Sequence, residues 1–88
     1  MVITYKVNEV VELVRQAAKS SGPSRSMLIY KAKEIVDDLE LIQVADLQEE
    51  VGKLTPMELR IVMALGAPKQ IYNKAARMLA GQDPIQNA

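Results

Sequence analysis

The segment Thr55-Pro56-Met57-Glu58, with the apolar run it opens, limits the folds open to this chain more than any other stretch. Thr55 carries the hydroxyl of an N-cap. Pro56 stands at the first helical position, where its missing N–H costs nothing, and Glu58 can reach back to the cap. The residues that follow are Leu59, Ile61, Val62, Met63, Ala64 and Leu65, interrupted only by Arg60, and Gly66-Ala67-Pro68 closes the run. A helix with almost no polar face has to be covered on most sides. The 56–66 helix is therefore expected at the buried centre of the fold.

The rest of the chain reads as helices that cover it. Val7, Val10, Val11, Val14 and Ala18 form one helical stripe, with Asn8 as its N-cap and Ser20-Ser21-Gly22-Pro23 as its stop. Residues 2–7 are strand-like but have no second strand here to pair with, so they are expected as a short extended N-terminal arm packing on the domain or as an edge that pairs with a second copy. A second helix is predicted from Ser24 or Ser26 to Gln43. Its stripe of Leu28, Ile29, Ala32, Ile35, Val36, Leu39 and Ile42 fills an arc of about 140°. Asp46-Leu47-Gln48-Glu49 has the form of a capping box opening a short helix with Leu47, Val51 and Leu54 inward.

A last helix is predicted over Lys69–Ala80, with Ile71, Tyr72, Ala75, Met78 and Leu79 on its core face and Gly81 as its stop. Residues 82–88 read as a disordered polar tail. These elements make an all-α single domain over residues 1–81, a bundle of four to five helices. The first two helices are expected to form an antiparallel pair around the central one.

Composition narrows the function. The 88 residues include no histidine, cysteine, tryptophan or phenylalanine. Most metal sites and most nucleophile–base pairs need the first two, so no catalytic residue, metal or cofactor is expected. With neither disulfide nor metal to staple a small core, self-association as a homodimer is expected. The longest apolar run, Ile61–Leu65, is too short to span a bilayer, and nothing at the N-terminus reads as a signal peptide. A cytoplasmic location follows as the expectation.

The zero net charge hides a segregation. Lys6, Arg15, Lys19, Arg25, Lys31 and Lys33 outnumber Glu9 and Glu12 in residues 1–33. Residues 34–58 hold acids opposed only by Lys53, and residues 59–88 are basic apart from Asp83.

Two readings of function remain. The joint at Gly66-Ala67-Pro68 invites a helix-turn-helix reading, in which Lys69, Gln70, Asn73, Lys74 and Arg77 would face nucleic acid. The spacing departs from that motif, since Tyr72 stands where an apolar anchor belongs and Val62 where a small residue belongs. Leu54-Thr55-Pro56-Met57-Glu58-Leu59 resembles the opening of LuxR-type DNA-binding domains over six residues. Those domains require two further helices and this chain has one, so the likeness carries no family assignment.

Glu34, Asp37, Asp38 and Glu40 are clustered without the spacing of a calcium loop. Ser20 to Ser26 reads as a connector ending in a helix cap. The reading favoured by the sequence is protein–protein contact through Met27, Tyr30, Glu34, Asp37 and Leu41, which fall on one strip of the second helix. The chain is then a small non-catalytic regulator or adaptor of the kind common in bacteria and phages. A small DNA-binding regulator using the 69–80 helix is the alternative.

Overall fold

In the computed structural model, which describes residues 2–66 and 68–82, the chain forms five helices. They are α1 (Val2–Ala18), α2 (Gly22–Asp37), α3 (Leu41–Val51), α4 (Pro56–Leu65) and α5 (Lys69–Gln82), with no strand among the described residues. Helix α1 packs against α2, α3 and α4, while α4 packs against α1, α2 and α5. The expected central helix therefore shares the centre with α1. Leu59, Ile61, Val62 and Leu65 of α4 are buried, but Arg60 and Ala64 face outward.

The N-terminal arm is not extended, and Asn8 is not a cap, because α1 already runs from Val2. Its buried positions are Val7, Val10, Val11, Val14 and Ala17, a stripe at helical spacing. Alternating β-branched residues suggested a strand, yet their helix penalty is only a few tenths of a kcal/mol each, up to about 0.7. Full burial of one valine returns about 1.5 kcal/mol or more, so the packing of Val7 and Val10 outweighs local preference. The added turns also carry Tyr5 and Lys6 alongside α2.

The predicted 24–43 helix is two helices. After Asp37 the N–H groups of Asp38 and Leu39 donate to the carbonyls of Ile35 and Val36 at 3.0 and 3.1 Å, closing α2. Glu40 N–H then donates to Gln43 Oε1 at 2.8 Å, which fixes the first turn of α3. Asp46 consequently lies inside α3 instead of capping a helix. The break turns the chain so that Val44, Leu47 and Val51 face the core, with Leu54 just beyond the helix. Leu41 and Ile42 turn outward, 81% and 57% exposed.

The 55–58 boundary forms as the sequence implies. Glu58 N–H donates to Thr55 Oγ1 at 3.3 Å and Thr55 N–H to Glu58 Oε1 at 3.0 Å. Gly66 ends α4 with φ of 77°, a left-handed conformation that a side chain resists. Helix α5 passes through Gly81 instead of stopping there, and the expected tail from Asp83 onward lies outside the described residues. Ile71 and Ala75 of α5 are buried as expected, but Tyr72 is 38% exposed.

The buried hydrophobic core is consequently made only of Val, Leu, Ile and Ala. No buried side-chain nitrogen or oxygen among the described residues lacks a hydrogen-bond partner. No helix among them is long and apolar enough to cross a membrane.

Leu59 is fully buried in this core, so Leu59→Ala is expected to cost about 2–5 kcal/mol. Thr55→Ala should cost about 1 kcal/mol, and Tyr5→Ala about 0.5 kcal/mol or less. Thermal unfolding followed by circular dichroism in dilute solution checks this order. A Tyr5→Ala loss as large as that of Leu59→Ala would place the aromatic ring in the core.

Candidate protein interface

Helices α1 and α2 form an antiparallel hairpin fastened near both ends. Lys6 Nζ meets Asp38 Oδ2 at 3.2 Å near its open end. Near the connecting turn, Arg25 Nε donates to the Ala17 carbonyl at 3.0 Å. The Ala17 carbonyl also accepts the Ser20 N–H at 3.1 Å, and the Gln16 carbonyl accepts the Lys19 N–H at 3.1 Å and Ser20 Oγ at 2.9 Å, so each has two donors where α1 stops. The serine-rich turn is thus occupied with closing α1. Gly22, at φ 59°, provides the left-handed residue from which α2 departs.

Between the two helices runs an open groove of about 640 Å³. Tyr5, Leu13 and Ile35 give it apolar surface, and Glu9, Glu34, Asp37 and Asp38 give it acidic walls. Lys6 and Lys31 are its bases, and Lys6 is already engaged by Asp38. The groove therefore favours positive charge and offers aliphatic and aromatic carbon beneath it.

The outer side of the hairpin also carries Met27 and Tyr30, 60% and 63% exposed, and Tyr5 is 68% exposed. Of the proposed strip, Met27, Tyr30, Glu34 and Asp37 share the exposed side of α2, and Glu34 and Asp37 line the groove. Leu41 does not join them, because it sits on α3 beyond the break. The α1 wall of the groove escaped the sequence reading. Its signal was present in Tyr5, Glu9 and Leu13, spaced four apart, once the helix is extended upstream of Asn8.

On α5, Lys69, Gln70, Asn73 and Arg77 are exposed, whereas Lys74 is half-buried. A Cβ placed on Gly52 would lie 3.6 Å from Lys74 Nζ, so this ammonium sits over the C-terminal end of α3. That is where the helix dipole favours a cation. Lys74 therefore lies against α3 and is set apart from the four exposed polar residues. A shallow recess of about 280 Å³ runs beside them, lined by Gly66, Lys69, Tyr72 and Asn73.

A smaller crevice of about 160 Å³ between α1 and α3 collects Asp46, Glu49 and Glu50 beside Asn8. Among the described residues no group of three or more His, Cys, Asp or Glu is arranged to hold a metal ion.

Removing the Arg25 guanidinium breaks the tie between α2 and the Ala17 carbonyl, which then keeps only the Ser20 N–H. Arg25→Ala is expected to lower stability by about 1–2 kcal/mol. Lys19→Ala, an exposed change at the same turn, should stay within about 0.5 kcal/mol. Urea unfolding of the two variants side by side measures the difference, and equal stabilities would deny Arg25 this role.

Compared with protein-family models, with curated proteins and with solved structures, the chain shows no significant match.

Proposed function

We propose that the chain is a small, non-catalytic regulatory or adaptor protein of the cytoplasm that acts by binding other protein, itself included, through the exposed face of the α1–α2 hairpin. One observation carries this reading. The core is complete in aliphatic side chains, while Tyr5, Met27 and Tyr30 are held outside it on a single hairpin beside an acidic groove. Single exposed apolar residues are ordinary. Two tyrosines and a methionine gathered on one pair of helices have the composition of interface anchors, and methionine adapts to varied partner surfaces.

The alternative, DNA contact through α5, keeps Lys69, Gln70, Asn73 and Arg77 as its exposed residues. It loses the half-buried Lys74, which is placed against α3.

Capture from an extract of the native host tests the choice. Met27→Ala combined with Tyr30→Ala should abolish retention of the bound protein with helicity unchanged, whereas Leu41→Ala should leave retention intact. The reverse pattern would move the site to the start of α3. Titration with duplex DNA should show no binding at low salt. Affinity that falls steeply with salt and is lost in Arg77→Ala would instead favour the α5 reading.

A further inference from the structure

The hairpin face is electrically polarised along its length. No acidic residue occurs between Glu12 and Glu34, so the turn end carries only Arg15, Lys19 and Arg25. The open end holds Glu9, Glu34, Asp37 and Asp38 around the groove, against Lys31 and a Lys6 already engaged by Asp38. The two fastenings, Lys6 to Asp38 and Arg25 to Ala17, set which residues of α1 and α2 stand level with each other. Leu13 is then level with Tyr30, midway between the acidic and basic ends.

We propose that the occupant of this face is a second copy of the same chain, laid antiparallel across it about a two-fold axis near Tyr30. The proposal rests on the hairpin being the binding face, and it names the partner. A two-fold at that level places the basic end of each copy on the acidic end of the other. Arg15 comes opposite Glu12, Lys19 comes near Glu9, and the two Tyr30 rings lie near the axis. The same polarised patch thus satisfies itself twice, which is the condition for a closed, isologous dimer. A parallel arrangement would set like charges together.

Size agrees with this. A helix of 17 residues is about 25 Å long, and two adjacent helices present a face about 20 Å wide. Two such faces bury about 1,000 Å² in total, at the lower bound for a specific interface. The dimer should therefore be reversible, held by its charges and its central tyrosines.

Sedimentation equilibrium of the full chain tests the pairing. The expected result is a monomer–dimer equilibrium whose dissociation constant rises with salt. Arg15→Glu with Lys19→Glu makes the face predominantly acidic, and Glu34→Lys with Asp37→Lys makes it predominantly basic. Each double variant alone should dimerise at least tenfold more weakly at unchanged helicity, and an equimolar mixture of the two should recover a 1:1 heterodimer. Tyr30→Ala should weaken the dimer without touching the salt dependence.

Assemblies that grow past two with concentration would overturn the two-fold in favour of an open head-to-tail contact. A dimer that survives both charge reversals would place the interface on another face. A chain that stays monomeric at every concentration overturns self-pairing. If Met27→Ala with Tyr30→Ala still abolishes capture in that case, the hairpin remains the face for a different protein.

Discussion

The packing of one valine-rich stripe along α1 is the contact on which the rest of this molecule depends. Val7, Val10, Val11, Val14 and Ala17 are all buried, and the helix that carries them touches α2, α3 and α4. Helix α4 answers with Leu59, Ile61, Val62 and Leu65 and passes the core on to α5 through Ile71 and Ala75. Small domains bury a modest fraction of their surface. Here that fraction is filled by branched and linear aliphatic side chains that interlock without any aromatic ring. The Thr55–Glu58 capping box and the left-handed Gly66 fix where α4 starts and ends, which keeps its apolar side in register with α1.

A core closed in this way leaves the aromatic residues free. Tyr5 and Tyr30 stand on the outer side of the hairpin that α1 shares with α2, beside a groove with acidic walls. Folding and the proposed binding thus draw on different residues. Aliphatic side chains on the inner face of α1 hold the domain, and tyrosine, methionine and charge on the outer face are available to a partner. The polarity of that face follows from chain order, since no acid stands between Glu12 and Glu34, the stretch that forms the turn end.

The features legible in the sequence are those set by local chemistry. Thr55, Pro56, Glu58 and Gly66 announce a helix and its limits within a few residues, and the structure keeps them. The inward positions Leu47, Val51, Leu54, Ile71 and Ala75 could likewise be read from spacing. What escaped was decided by tertiary contact or by competition between similar local signals. Residues 2–7 look like a strand until Val7 is given something to pack against. The stripe from Leu28 to Ile42 looks continuous because a break of three residues preserves apolar spacing. Only the Glu40–Gln43 bond reveals that a new helix has begun. The candidate strip reflects both differences, since Leu41 lies on α3 beyond the break and the α1 wall with Tyr5 and Leu13 was not part of it.

The division between an aliphatic core and a free tyrosine face can be measured directly by dye-sensitised nuclear polarisation of the tyrosine rings. The chain has no histidine or tryptophan to confuse the spectrum, which reduces to Tyr5, Tyr30 and Tyr72. In dilute solution Tyr5 and Tyr30 should polarise strongly and Tyr72 more weakly, in keeping with their exposures of 68%, 63% and 38%. As concentration rises, the Tyr30 signal should fade first while Tyr72 is unchanged. A Tyr30 ring already silent in the dilute monomer would mean that it packs within its own protomer, and the account given for this fold and its face would be wrong.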